Sequence, residues 1–203
     1  AFIPNPLTQD PPALSPRTHL VVADARAALA ALDSTARQLP NPRLLRLPTL
    51  RREAQSTSAL EGTYAPLAEV LIADDEEPPT PELTEILNYV RAANYGFAWI
   101  AEGRPISTSF LGDLQGTLMR GTPLEPVSGR LREAQVVIGR RMDADPRAHP
   151  VYNARFVPSP HGVELESGIS DLVAWLREDH RGHIDPVVAA AMSHYQFETL
   201  HPF

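Results

Sequence analysis

Proline is the residue that most constrains the fold of this chain, in which 21 of 203 residues are proline. A proline inside a helix removes one hydrogen bond and clashes with the preceding turn, so helices tolerate it mainly at their first position. Three pairs of a capping residue and a proline stand directly before a stretch with helical spacing: Ser15-Pro16, Thr80-Pro81 and Asp185-Pro186. Each pair predicts the start of a helix.

The segments between these breaks have helical spacing, and the sequence predicts a mainly α-helical protein. Residues 1–14 are predicted as an extended arm, and the predicted helices cover residues 16–39, 50–61, a short stretch from 66, 81–101, 107–119, 170–177 and 186–200. The β-branched and aromatic residues between Tyr152 and Leu165 predict one small irregular β-hairpin. The run from Gln135 to Ile138 fits either a loop or a strand.

The composition indicates a folded protein without a membrane or secretory segment. Apolar residues make up 43% and charged residues 21% of the chain. No apolar run approaches the roughly 20 residues that cross a bilayer, and the N-terminus has no charged segment followed by an apolar core. The absence of cysteine excludes disulfides and thiolate metal sites and is compatible with a cytoplasmic location, which we expect. A net charge of -7 argues against nucleic acid as a partner.

The last predicted helix ends at a histidine, His201. Pro202 disfavours helical geometry at His201, so the imidazole lies at a helix-to-loop junction, where ligands usually approach. We predict His194 to be half-buried and hydrogen-bonded within the core. Helical spacing places a set of residues on one stripe: Val187, Ala190, His194, Phe197 and His201. From spacing alone, His201 can also be a structural residue whose cation favours the negative end of the helix dipole.

Three stretches of the chain resemble the Fic family. His201-Pro202-Phe203 matches the opening of the Fic motif, which runs His, Pro, Phe, any residue, Asp or Glu, Gly, Asn, Gly, Arg. Residues 57–62 are similar to the signature of the family's inhibitory helix, which runs Ser or Thr, three residues, Glu, then Gly or Asn. Residues 155–160 are similar to the segment that forms the family's target-docking flap.

The resemblance implies a Fic-like helical bundle with a small β-hairpin flap. Residues 1–80 correspond to an N-terminal Fic-associated helical region with the inhibitory helix, and residues 81–203 to the Fic core, which ends inside the catalytic motif. Two positions depart from the common family pattern. Gln115 stands where many relatives have a histidine, and Leu131-Arg132 stands where an aromatic residue often precedes the arginine. Neither belongs to the catalytic motif, so we expect altered packing and unchanged chemistry.

The activity that the resemblance implies is transfer of AMP from ATP to a Ser, Thr or Tyr hydroxyl of a target protein. His201 matches the general base, and a positioned base supplies roughly 10²- to 10⁴-fold in rate. The implied cofactors are ATP and Mg²⁺, with His201 and Glu61 beside the nucleotide. The Mg²⁺ ligand and the phosphate-binding loop are expected after Phe203, so no metal ligand is predicted in this fragment, which alone is predicted to be inactive.

The resemblance assigns an autoinhibitory role to Thr57, Glu61 and Gly62. Thr57 and Glu61 are four residues apart on a predicted helix and share a face. In the family, the equivalent glutamate pairs with the second arginine of the full motif and occupies room that the γ-phosphate needs. Without that context, Glu61 is a surface glutamate near a helix C-terminus, where a carboxylate is electrostatically disfavoured.

The flap implied by the resemblance consists of Phe156, Val157, Pro158, Ser159 and Pro160. Its two prolines remove donors and hold the strand extended, which leaves an edge able to pair with a target segment. Without the resemblance, the same residues describe an ordinary surface hairpin.

Other functions stay open at the level of the sequence. A metal hydrolase using His180, His183, His194 and His201 is disfavoured, because the first two flank Gly182 in a predicted loop and no glutamate stands beside a helical histidine pair. The chain can also be a non-catalytic helical regulatory or interaction module, or part of a Fic enzyme that moves another phosphate-containing group. The predicted partner is a protein substrate, and a homodimer is compatible with the sequence.

Overall fold

The computed structural model describes residues 1–41, 43–60, 62–74 and 78–203, with residue 43 described by its backbone only. Its helices are α1 (Pro16–Arg37), α2 (Arg43–Leu60), α3 (Leu67–Ile72), α4 (Pro81–Ala101), α5 (Thr108–Met119), α6 (Pro150–Asn153), α7 (Val163–Leu176) and α8 (Pro186–Leu200). Strands β1 (Ile138–Arg140) and β2 (Ala154–Phe156) form an antiparallel sheet in which Ile138 pairs with Phe156 and Arg140 with Ala154. The predicted fold class, mainly α-helical with one small β-element, is confirmed.

The three predicted helix starts are confirmed, and each capping side chain accepts a hydrogen bond from the first turn. The Thr18 amide donates to Ser15 Oγ at 3.1 Å, and the Leu83 amide donates to Thr80 Oγ1 at 3.2 Å. At the start of α8, the Val187 amide donates to Asp185 Oδ1 at 2.9 Å. Cap and proline together fix the first residue of α1, α4 and α8.

Three predictions from the sequence are wrong, namely the position of the hairpin and the starts of two helices. The hairpin does not lie within residues 152–165, because β2 pairs with the distant strand β1 and Val163 already begins α7. Helix α7 therefore starts seven residues before the predicted Ser170, since Leu165 and Ile169 already lie on its buried face. Helix α2 begins at Arg43 and contains Pro48, although the sequence predicts a start at Leu50.

The chain divides into two compact units. The first unit contains Ala1–Arg26 and Leu131–Phe203, and the second contains Ala27–Arg130. The division into an N-terminal region of residues 1–80 and a Fic core of residues 81–203 stays a prediction. None of the described helices combines the length and the apolar character that crossing a bilayer requires.

In the first unit, the N-terminal arm packs against α7 and α8. The indole Nε1 of Trp175 donates to the Thr8 carbonyl at 2.9 Å, and Gln196 Nε2 donates to the Asn5 carbonyl at 3.1 Å. The arm has no regular secondary structure, as predicted. It adds two partly buried side chains to a cluster of buried residues, namely Leu7 and Leu14 against Trp175, Ile184 and Val188. The arm therefore helps to close the core of this unit.

In the second unit, buried polar side chains cap the C-terminal ends of two helices. Arg51 is only 7% exposed and donates to three carbonyls at the end of α3, those of Val70, Leu71 and Ala73. Asn88 of α4 is fully buried, and its Nδ2 donates to the carbonyls of Leu118 and Arg120 at the end of α5. These bonds satisfy carbonyls that have no partner inside their own helix.

Two glycines of α5 provide a matched test of the close packing in the second unit. A Cβ at Gly112 would lie 2.6 Å from the Gly129 carbonyl oxygen, whereas a Cβ at Gly116 would lie 3.7 Å from the nearest neighbouring atom. We expect Gly112→Ala to destabilise the protein by about 1–3 kcal/mol because backbone must move. Gly116→Ala should stabilise it by about 0.5–1 kcal/mol through helix propensity. Urea unfolding followed by circular dichroism measures both, and equal effects would contradict this packing.

Candidate active site

His201 forms the C-terminal cap of α8 in an unusual backbone conformation. Its amide donates to the Phe197 carbonyl at 2.8 Å, and its backbone angles are φ 48° and ψ 67°. It is the one non-glycine residue with positive φ in the described part of the chain. This left-handed conformation costs roughly 1–2 kcal/mol for a residue with a Cβ, so surrounding contacts must maintain it. The helix ends where the sequence predicts, before Pro202.

The imidazole of His201 is partly accessible and faces a carboxylate. Its side chain is 37% exposed, and Nδ1 lies 3.8 Å from Glu198 Oε2. That separation is too long for a hydrogen bond, so the carboxylate does not occupy Nδ1. A neutral imidazole has one nitrogen that accepts a hydrogen bond, and a general base takes its proton through such a nitrogen.

The buried face of α8 differs from the stripe that helical spacing predicts. Its buried residues are Val188, Gln196, Thr199 and Leu200. Ala190 and His194 of the predicted stripe are exposed, so the prediction of a half-buried His194 is wrong. The α8 segment is rich in alanine, and spacing alone cannot select its buried side. The hydrogen bond from Gln196 to the N-terminal arm explains why a polar residue is buried there.

The predicted flap residues lie next to the end of α8. Ser159 is fully buried, and its amide donates to the Thr199 carbonyl at 3.3 Å. The Pro158 carbonyl accepts from Gln135 Nε2 at 3.2 Å. The Ser159 hydroxyl is buried and has no hydrogen-bond partner within the described residues. The structure thus brings the flap backbone and the candidate base together within the first unit.

The outer edge of the flap is in contact with the N-terminal arm. The Phe2 amide donates to the Val157 carbonyl at 2.8 Å, and the Phe2 and Phe156 rings lie 5.8 Å apart between centroids. The edge was predicted to pair with an incoming target segment. Here one of its carbonyls accepts from the chain's own arm.

Arg132 joins the site without any role predicted from the sequence. Its guanidinium donates to the carbonyl of His201 from Nε at 2.7 Å, to that of Leu200 from Nη2 at 3.2 Å, and to that of Ser159. Burial lowers the pKa of Arg132. The guanidinium nevertheless stays charged at neutral pH, because the ordinary pKa of arginine is so high. Any backbone can supply carbonyl acceptors, so this network leaves no signature in the sequence.

The residues of the predicted inhibitory element lie in the second unit, except that Glu61 is outside the described residues. The Tyr89 side chain of α4 lies near Glu53 and Thr57 of α2, and Tyr89 and Thr57 line one cavity. Burial, together with the charge of Glu53, raises the pKa of Tyr89. Gly62 has a φ of 95°, which confirms the predicted left-handed conformation at the end of α2.

A cavity of about 480 Å³ lies beside this element within the second unit. Its polar lining comes from six side chains: Thr57, Ser58, Thr63, Glu85, Tyr89 and Thr122. The Thr63 hydroxyl donates to Glu85 Oε2 at 2.6 Å, so that carboxylate already has a partner. The cavity therefore borders the candidate inhibitory segment.

His180 has a structural explanation. Its ring stacks on Trp175 with centroids 4.0 Å apart, and its Nε2 lies 2.6 Å from the Trp175 carbonyl. That nitrogen must donate, which makes it unavailable to a metal ion. Across the described ranges, no three histidine or carboxylate side chains are grouped to hold a metal ion.

Comparison with known proteins identifies the family. Residues 20–98 match the profile described as Fic/DOC family N-terminal, and residues 105–203 match the profile of the Fic/DOC family. The chain belongs to the Fic family. A crystal structure of a Fic family protein from Desulfovibrio desulfuricans G20 has a similar fold, with a TM-score of 0.71 and 26% identity, over 97% of this chain. The membership confirms the resemblance seen in the sequence.

One curated relative of this Fic chain carries a functional name. Protein adenylyltransferase fic-1 of Caenorhabditis elegans is 36% identical over 80 residues, which make up 39% of this chain. This chain covers 13% of that protein and 55% of the Desulfovibrio Fic chain. The relatives thus support a transferase family, while the roles of His201, Glu61 and the flap stay predictions.

Two buried hydroxyls beside the Fic histidine offer a contrast in stability. Ser159→Ala removes a hydroxyl without a partner in the described residues, so we expect a gain of about 1 kcal/mol. Thr199→Val removes a hydroxyl that donates to the Tyr195 and Gln196 carbonyls, so we expect a loss of about 0.5–1.5 kcal/mol. Urea unfolding monitored by tryptophan fluorescence compares them, and a loss for Ser159→Ala would show that the hydroxyl has a partner.

Proposed function

We propose that this chain provides the catalytic base and the target-docking flap of a protein adenylyltransferase. The observation that carries the proposal is the position of His201, which caps α8 beside the flap backbone with a partly exposed imidazole. The family profile over residues 105–203 and the relative named as a protein adenylyltransferase support this chemistry.

In the proposed reaction, the target hydroxyl attacks the α-phosphorus of ATP. The new bond joins the hydroxyl oxygen to phosphorus, while the bond from the α-phosphorus to the bridging oxygen breaks and pyrophosphate leaves. His201 Nε2 takes the hydroxyl proton as the attack proceeds. The carboxylate of Glu198, 3.8 Å from Nδ1, stabilises the imidazolium that results.

The Mg²⁺ that the family implies finds no ligand set in the described part of this chain. Bound Mg²⁺ would neutralise charge on the phosphates, as in other nucleotide-transfer reactions. The residues present account for the proton transfer and for target docking.

We further propose that Glu61 restrains the nucleotide. The family N-terminal profile spans residues 20–98 and so includes the inhibitory signature. Thr57 and Tyr89 line the same cavity, so the end of α2 lies beside α4 inside the second unit. A charge-assisted pair between a glutamate and the motif arginine is strong enough to compete with a phosphate group.

The proposed partner is a protein with an accessible Ser, Thr or Tyr hydroxyl that docks along Phe156–Pro160. β-Strand pairing would supply affinity from backbone hydrogen bonds. A target segment that used the Val157 carbonyl would have to displace the Phe2 amide. A cytoplasmic location and a homodimer stay predictions.

Transfer assays on the protein that naturally contains this chain test the catalytic proposal. With Mg²⁺, label from the α-phosphate of ATP should appear on protein, and label from the γ-phosphate should not. His201→Ala should lower this transfer at least about 10²-fold because the base is lost. His194→Ala is the matched control, since His194 is exposed on the same helix, and it should retain activity.

The same assay separates the alternatives. Transfer of the γ-label, or of label from another nucleotide alone, would indicate a different phosphate-containing group. No transfer from any nucleotide would favour a non-catalytic module. The chain ending at Phe203 is predicted to show no detectable transfer, and turnover by it would overturn the expected need for further phosphate-binding residues.

Autoinhibition is tested in the same protein by Glu61→Gly. Removing the carboxylate should raise AMP transfer, including auto-modification, by tenfold or more, because a lost charged pair of about 1.4 kcal/mol corresponds to a factor of ten. Ala59→Gly is the control, since Ala59 is exposed in the last turn of α2 and its replacement removes no charge. Equal rates for the wild type and a folded, ATP-binding Glu61→Gly variant would refute the restraint.

A further inference from the structure

Arg132 contacts three consecutive carbonyls around the candidate base. Its backbone amide donates to the Pro202 carbonyl at 2.9 Å. Its Nε donates to the His201 carbonyl at 2.7 Å, and its Nη2 donates to the Leu200 carbonyl at 3.2 Å. The end of an α-helix leaves such carbonyls without intrahelical donors. Arg132, from the segment before β1, therefore provides hydrogen-bond donors for the carbonyls at the end of α8.

The same guanidinium also holds the backbone of the flap. Nη2 donates to the Ser159 carbonyl, and the Ser159 amide donates to the Thr199 carbonyl at 3.3 Å. Nη1 donates to the Ala134 carbonyl at 3.0 Å, which fixes the guanidinium plane against its own segment. The flap and the last turn of α8 thus share one planar donor group. Movement of either must disturb bonds to the other.

The left-handed turn at His201 depends on such support. A strained backbone conformation persists only where neighbouring contacts over-determine it. The bond from Arg132 to the His201 carbonyl fixes the peptide plane that follows the histidine. That plane sets the direction in which the imidazole leaves the backbone. A lysine could not replace this contact fully, because its single ammonium lacks the planar fork.

We propose that Arg132 is a positioning residue that holds His201 and the flap in one fixed relation. A target segment paired with the flap would then present its hydroxyl at a set distance from the imidazole. Catalysis is sensitive to this relation, since a misplacement of 1 Å can cost roughly 100-fold in rate. The effect of Arg132 on catalysis rests on the proposed function, whereas the structural coupling between the flap and His201 does not.

Amide hydrogen exchange on the 203-residue chain tests the coupling without any enzymatic activity. The two reporters are the amides of His201 and Ser159, which donate to the carbonyls of Phe197 and Thr199. In Arg132→Lys, both should exchange at least tenfold faster, with the amides of α7 unchanged. Arg130→Lys is the matched control, because Arg130 is exposed and donates to the single carbonyl of Pro126. It should leave both reporters unchanged.

The other outcomes of the exchange experiment overturn the proposal. Faster exchange of only one reporter would show that the flap and the histidine are independent. Uniformly faster exchange across α7 and α8 would show a general structural role. If Arg132→Lys does not fold, the exchange rates of the two reporter amides are measured in the wild type at increasing urea concentrations. There the two reporters must open with the same urea dependence, and different dependences refute the coupling.

Kinetics on the protein that naturally contains this chain test the catalytic part. Arg132→Lys should lower kcat at least tenfold and leave the KM for ATP within twofold, because the base is misplaced while the nucleotide contacts remain. An unchanged kcat would overturn the positioning role. If the wild type itself transfers no AMP, the proposed function fails, and the exchange experiment still decides whether Arg132 couples the flap to His201.

Discussion

Helix ends in this protein are completed by side chains from distant parts of the chain, and the end of α8 is the case on which the site depends. Each α-helix leaves its last carbonyls without donors. Arg132 donates to three successive carbonyls there, to two from its guanidinium and to one from its backbone amide. The left-handed His201 follows from this arrangement, since Pro202 stops the helix and Arg132 fixes the turn.

In the second unit, a side chain from another element caps the C-terminal end of a helix in two places. Arg51 caps α3 and Asn88 caps α5, and both side chains are buried. Buried donors are costly unless their partners are well placed, so each of these contacts ties one helix end to one position on another element. The result is a set of short helices whose ends are fixed by tertiary contacts. In a Fic protein this matters because the catalytic motif begins at such an end.

The N-terminal arm gives the first unit a further constraint. It contributes side chains to the core beside Trp175. The Asn5 carbonyl of the arm accepts a hydrogen bond from the buried Gln196, and the Phe2 amide donates to the Val157 carbonyl of the flap. The flap is therefore held from two sides, by Arg132 and Gln135 on one segment and by Phe2 on the other. A target segment that paired with the flap at Val157, as proposed, would have to displace the Phe2 amide.

The sequence by itself determined the starts of α1, α4 and α8, the end of α8 before Pro202, and membership of the Fic family. These features depend on signals within one helical turn, where a cap and a proline act on adjacent residues. Only the tertiary structure decided which face of α8 is buried, that β2 pairs with β1, and that Arg132 reaches His201. Those outcomes join residues far apart in the chain, 69 positions in the case of Arg132 and His201. Their partners are backbone carbonyls that every residue possesses, so packing alone selects among them.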